Sequence, residues 1–122
     1  DKNIFGYLCY KDKHISELEW NIYNYWNHLY DTYLTDSNTN FHIYLRAPPD
    51  VVYNRIMKRG REEEKTISLK YLTDLHNLHD KWLYDNKKDN ILTIECSDDF
   101  ENNKEIFDDM LQNIIEYIDS IK

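Results

Sequence analysis

Two short apolar runs limit what this chain can fold into. Phe41–Leu45 and Ile91–Glu95 have strand character, and helical patterns separate them rather than a tight turn. Strands joined through helices are expected to run parallel, with a right-handed crossover. The order is helix–helix–strand–helix–charged turn–helix–strand–helix, an α/β class with two short parallel strands and about five helices. Two strands alone bury too little to make a stable sheet, so further strands are expected in sequence outside the chain. Asp1 also opens without a Met, directly into Ile4, Phe5 and Leu8 at helical spacing. The chain is therefore expected to be the C-terminal part of something longer.

The helices are punctuated by recognisable caps. Residues 1 to about 12 form a short helix that ends near Lys13 and His14. Ser16 caps the next one, with Glu19 completing a capping box. Leu18, Ile22, Trp26, Leu29 and Tyr33 form its apolar stripe, flanked by Tyr25 and Tyr30, up to the polar run Thr35–Asn40. Trp20, Tyr23 and Trp26 fit a core or a subunit interface better than a ligand-stacking box. Pro48 and Pro49 end the first strand and start a helix to about Arg59, with Val52 and Ile56 inward. Ser68 caps a further helix on Leu72, Leu75, His79 and Trp82. His76 and His79 stand three apart with no third ligand in view, so packing explains them better than a metal. Asp85–Asn90 and Ser97–Phe100 are turns. The last helix is built on Phe107, Met110, Leu111, Ile114, Ile118 and Ile121.

Chemistry is concentrated between Arg55 and Lys65. Five cations (Arg55, Lys58, Arg59, Arg61, Lys65) and three carboxylates (Glu62, Glu63, Glu64) fall there, around Gly60. Arg55, Lys58 and Arg59 share one helix face, an arrangement suited to gripping a polyanion through bidentate guanidinium contacts. Gly60 lets the backbone leave the helix through a left-handed turn. A solvated, salt-bridged helix end is the simpler alternative, and the helix dipole alone favours a cation at Arg59. The formal net charge of −8 argues against a nucleic-acid polymer as partner, whereas a small anion needs only a local cation cluster. With 41% hydrophobic and 15% aromatic residues, one globular domain or part of one is expected. No apolar run is long enough to span a membrane. Cys9 and Cys96 form no CxxC pair, so a reducing, cytoplasmic compartment fits, and a mitochondrial leader would lie upstream.

These motifs together resemble the deoxynucleoside kinase family, of the deoxycytidine/deoxyguanosine kinase type, over most of the chain. Asp1-Lys2-Asn3-Ile4-Phe5 resembles the segment after the family's Glu-Arg-Ser motif, and Ile15 to Trp26 resembles its next long helix. Tyr44-Leu45-Arg46-Ala47-Pro48-Pro49 matches the strand end before the lid. Arg59-Gly60-Arg61-Glu62-Glu63-Glu64, then Leu69, Tyr71-Leu72, Leu75-His76 and His79 to Leu83, resembles the lid and the helix after it. Asp98-Asp99-Phe100 resembles the loop around the donor's adenine. The lid block is the specific part, since its polar residues match in order.

The resemblance implies a P-loop-kinase-like parallel sheet with flanking helices and a lid at about residues 59–66, as the C-terminal part of one domain. It implies transfer of the ATP γ-phosphate to the 5′-hydroxyl of a deoxynucleoside. Arg59 and Arg61 would act catalytically on the donor phosphates. Arg55, Ile56, Met57, Lys58 and Arg59 would line the ATP site, and Asp98, Asp99 and Phe100 would hold the adenine. Asp1 would lie at the base edge, Phe5 would stack on the base, and Glu64 would accept a hydrogen bond from the sugar 3′-hydroxyl. Glu63 would orient the lid arginines. A carboxylate at position 1 favours deoxyguanosine, deoxyadenosine or deoxycytidine over thymidine. Family members pair as homodimers through helices, and Ile15 to Tyr33 is suited to that.

The chain departs from the family in one large respect. Its only glycines are Gly6 and Gly60, so it holds no Gly-x-x-x-x-Gly-Lys-Ser/Thr loop. The general base, the Glu-Arg-Ser motif and the ligands of Mg2+ would also lie upstream, and the polypeptide alone is not expected to turn over. A nucleoside-monophosphate kinase and a non-catalytic relative working through subunit contacts are the alternatives.

Overall fold

A computed structural model describes residues 2–33, 41–85 and 90–121. A wide helical turn, Lys2–Gly6, runs into α1 (Tyr7–Lys11), followed by α2 (Glu17–Tyr33). Strand β1 (His42–Arg46) leads into α3 (Pro49–Arg59), a short turn at Glu62–Glu64, and α4 (Leu69–His79). A second wide turn, Asp80–Tyr84, precedes β2 (Ile91–Glu95), and α5 (Lys104–Ser120) closes the order. The strands pair in parallel, from His42 opposite Ile91 to Arg46 opposite Glu95. This is the α/β arrangement expected from the two separated apolar runs. The expected polar run Thr35–Asn40 and most of the turn before β2 lie outside the described residues.

The boundaries follow from caps. The Ser16 N–H donates to Glu19 Oε2 (2.7 Å) and the Glu19 N–H donates back to Ser16 Oγ (3.3 Å), the two halves of the expected capping box. Ser68 Oγ accepts from the Tyr71 N–H at 3.1 Å, and Asn103 caps α5 by accepting from Glu105 and Ile106. Pro49 occupies the first turn of α3, where no N–H is needed. At the other end Gly60 takes φ 68° and ψ 29°, the left-handed exit read from the sequence.

Lys13 takes the corresponding place after α1, with φ 60°. The His14 N–H donates back to the Cys9 carbonyl at 2.8 Å. A left-handed residue carrying a Cβ is strained by about 1 kcal/mol. Lys13→Gly is accordingly expected to raise stability by about that amount, read as a higher urea midpoint at unchanged slope.

The core consists of Ile4, Leu8, Tyr44, Ile56, Leu72, Leu83, Ile94 and Cys96. Tyr44 faces α4, where its ring stacks on His79 at 5.9 Å. Alternation puts Ile43 and Leu45 on the opposite face, where they stay 42% and 54% exposed. α5 lies against β2 on that face. It turns Ile106, Met110, Ile114, Tyr117 and Ile121 inward, while Phe107, Leu111 and Ile118 stay exposed. Half of its expected stripe is thus displaced by part of a turn.

Apart from Leu29, the stripe expected on α2 faces out. Leu18, Trp26 and Tyr33 are 69%, 65% and 77% exposed, and the inward face is instead Trp20, Tyr23, Asn24 and Asn27. Gly6 decides this, because its missing side chain makes the notch into which Tyr23 packs: a Cβ there would stand 2.8 Å from the ring. Trp20 then stacks on Tyr10 (5.1 Å) and on Tyr23 (5.6 Å). Trp20 and Tyr23 are therefore internal packing, and Trp26 is not. A second correction falls at the end of α4. After His79 the helix widens, with the Asp85 N–H reaching the Asp80 carbonyl five residues back. The added residue turns Leu83, rather than Trp82, into the core.

Candidate active site

The cation-bearing helix α3 points its C-terminal half at two separate elements. From its middle, Arg55 Nη2 donates to the carbonyls of Asp98 (2.7 Å) and Ser97 (3.3 Å). Its guanidinium lies 5.4 Å from the centre of the Phe100 ring, an attraction of charge to a ring face. The loop after β2 is thereby anchored to α3. Asp99 turns back on its own segment, accepting from the Asn102 N–H and Nδ2. These bonds, Asn102's side chain first, hold its carboxyl below the ordinary range, and nearby Lys58 adds to the effect. Beside the loop is an open cleft of about 460 Å³, lined by Phe100, Glu101, Asn102, Lys104 and Phe107.

At the end of α3 Arg59 meets Glu64 across the Gly60 turn. Nε donates to Oε2 at 3.0 Å, and Nη2 donates to Oε1 and Oε2 at 2.7 and 2.8 Å. Arg61 Nη1 stands 3.6 Å from the same carboxylate. The carboxylate that orients the two arginines is thus Glu64, where Glu63 was expected. The left-handed turn at Gly60 reverses the chain, and Arg61 to Lys65 then curl in short turns, with the Glu64 N–H on the Arg61 carbonyl. That places Glu64, not Glu63, against the end of α3. Lys65 pairs with Glu62 on the solvent side.

The remaining expected residues are more scattered. Ile56 is buried in the core at 8% exposure. Met57 and Lys58 are exposed on the solvent side of α3. Phe5 is about half exposed and meets His79 edge-on at 6.4 Å. Asp1 lies outside the described residues.

One cluster was not anticipated at all. Asp80, at the start of the wide turn after α4, accepts from Tyr44 Oη (2.9 Å), Arg46 Nε (2.9 Å) and Arg46 Nη2 (2.8 Å). His76 Nε2 lies 3.3 Å away, and Arg46 Nη1 also donates to Glu95 Oε1 at 2.9 Å. The Tyr84 ring lies 4.7 Å from the Arg46 guanidinium. The Arg46 bonds, aided by Tyr44 and His76, hold the Asp80 carboxyl below the ordinary range despite partial burial. Burial, and then Asp80, push the Tyr44 hydroxyl well above its usual value. The cluster ties both strands to α4 at their carboxyl ends, the edge at which open α/β sheets bind ligands. The sequence signal was present in Tyr44, Arg46 and Asp80, but their meeting depends on how the end of α4 packs against the strand ends. His79 Nδ1 pairs with the Leu75 carbonyl at 2.8 Å, so each histidine of the i, i+3 pair has a partner in the protein. Among the described residues no group of three or more His, Cys, Asp or Glu side chains is placed to hold a metal ion.

Comparison with known proteins accords with this geometry. The sequence model of the deoxynucleoside kinase family matches residues 1–119. A probable deoxycytidine kinase of fowlpox virus (strain NVSL) is 34% identical, over 99% of this chain and 53% of its own length. The mitochondrial deoxyguanosine kinase of Xenopus laevis is 31% identical over 97% of this chain and 48% of its length. The deoxycytidine kinase of Homo sapiens is 31% identical over 99% of this chain and 49% of its length. The chain spans about half the length of these curated relatives. The match runs through both strands, the Arg59–Glu64 turn and the loop after β2, and the fold is a P-loop-kinase-like α/β piece; the chain belongs to the deoxynucleoside kinase family.

Proposed function

We propose that the protein containing this chain transfers the γ-phosphate of ATP to the 5′-hydroxyl of a deoxynucleoside, and that this chain supplies its lid and its adenine loop. One observation carries the reading: α3 links the loop after β2 through Arg55 and the carboxylate-bearing turn through Arg59. A donor nucleotide lying along α3 would place its adenine by Phe100 and its phosphates by Arg59 and Arg61. Phosphoryl transfer is chiefly positioning and neutralisation of charge on the transferred group, work for which paired guanidinium forks are suited. Glu64 is an acceptor for the sugar 3′-hydroxyl. Phe5, half exposed, offers a ring face to the base, and Asp1 its carboxylate. That carboxylate favours deoxyguanosine, deoxyadenosine or deoxycytidine over thymidine. Magnesium, which would neutralise the donor phosphates, is assigned to residues outside this chain, as are the phosphate loop and general base. The exposed apolar face of α2, with Leu18, Ile22 and Trp26, is the surface assigned to pairing of two subunits in the cytoplasm.

The test is an ATP-dependent phosphorylation assay on the intact protein with the four natural deoxynucleosides in parallel. Turnover of deoxyguanosine, deoxyadenosine or deoxycytidine ahead of thymidine is expected. Thymidine as best substrate would discard the role given to Asp1 while keeping the enzyme class. No turnover from folded intact protein would favour the non-catalytic alternative.

A further inference from the structure

Arg59 already holds an anion. Its Nε and Nη2 enclose both oxygens of Glu64 at 2.7–3.0 Å, the planar fork geometry by which a guanidinium takes a phosphate. The pair is unevenly placed. Glu64 is 15% exposed, against 50% for Arg59 and 57% for Arg61. The carboxylate therefore lies on the protein side, while both guanidinium groups remain open to solvent. One fork edge cannot serve a carboxylate and a phosphate together.

We infer that Glu64 is a built-in competitor for the polyphosphate site on Arg59, so that an arriving polyphosphate displaces the carboxylate and sets it free. Resting on the kinase reading above, the freed carboxylate is the one that takes the sugar hydroxyl. A nucleoside engaging Glu64 would in turn open the fork of Arg59. The two ligands then strengthen each other's binding by the same factor, as linkage requires. Glu63 serves as an internal reference. It is exposed, carries the same charge one residue away, and is not bonded to the fork.

The experiment is calorimetric titration of the intact protein with inorganic tripolyphosphate, without nucleoside. Glu64→Gln is expected to bind about three- to tenfold more tightly than the parent, since a bidentate charged partner has been removed. Glu64→Asp retains the charge but falls short of the fork, and is also expected to tighten binding. Glu63→Gln is expected to stay within about 1.5-fold of the parent, because a single exposed charge shifts such equilibria little. In an Arg59→Ala background Glu64→Gln should bring no gain. Unchanged or weaker binding in both Glu64 variants would overturn the competition, as would an equal gain in Glu63→Gln. If Arg59→Ala weakens tripolyphosphate binding and the Glu64 variants do not tighten it, the competition alone fails. If Arg59→Ala leaves binding unchanged, the placement of phosphate on Arg59 fails with it.

Discussion

Arg59→Ala in the intact protein is expected to lower kcat about a hundredfold while shifting the nucleoside KM by no more than about threefold. The size follows from the chemistry open to the side chain. A preorganised cationic donor aimed at charge that develops on a transferring phosphoryl group is worth about 10²–10³ in rate, and arginines in phosphoryl transfer reach higher values. Arg59 meets that description: it sits at the last turn of α3, half exposed, beside the Gly60 turn. Arg61, more exposed and 3.6 Å from the same carboxylate, is expected to show a smaller loss of the same kind. Glu64→Ala should separate from both by raising the nucleoside KM, because a lost hydroxyl contact weakens binding of the acceptor. Steady-state kinetics with ATP saturating distinguish the patterns. Unchanged kcat in both arginine variants would remove the lid from the mechanism.

Asp80→Ala is expected to cost about 3 kcal/mol of stability, read from urea unfolding at neutral pH. Its carboxylate is 18% exposed and accepts from Tyr44 and twice from Arg46. Removing it strands a buried hydroxyl and leaves Arg46, 24% exposed, with Glu95 and the Tyr84 ring. Breaking such a pair from one side leaves the other charge uncompensated, which is the expensive outcome. Glu95→Ala, at a partner 53% exposed, should cost less than about 1 kcal/mol. The pH dependence has a definite sign. The folded-state carboxyl of Asp80 is held below its unfolded value, chiefly by Arg46. Its stabilising contribution is therefore complete above the ordinary carboxylate range and is lost as pH falls through the lowered folded value. The parent's stability should decline more steeply than that of Asp80→Asn over that acid interval. Parallel acid titrations of both proteins, followed by circular dichroism, test it, and matching slopes would discount the cluster.

Local signals were legible wherever neighbours in sequence settle the structure. The capping box of Ser16 and Glu19, the Ser68 cap, the proline start of α3 and the left-handed Gly60 each depend on bonds within a few residues, and each is found as expected. Motifs also carried the Arg55–Lys65 block as a candidate site. What they could not give was partnership within it. Whether Glu63 or Glu64 faces Arg59 depends on how the chain curls after Gly60, a matter of one residue's rotation.

The chain's own pattern determined that it would be α/β, with parallel strands, helices of roughly these lengths and a cation-rich turn after the first crossover helix. Periodicity and caps are local properties, so the sequence carries them in plain form. Tertiary structure alone decided which face α2 turns inward. α2 has a strong apolar stripe, yet it packs through Trp20 and Tyr23, with Tyr23 in the notch that Gly6 leaves. The Asp80 cluster also arose in three dimensions. Tyr44, Arg46, His76 and Glu95 come from two strands and a helix, and the end of α4 brings the Asp80 carboxylate to them. A side chain's partner is set by the relative placement of whole elements, and that placement follows from how their surfaces fit.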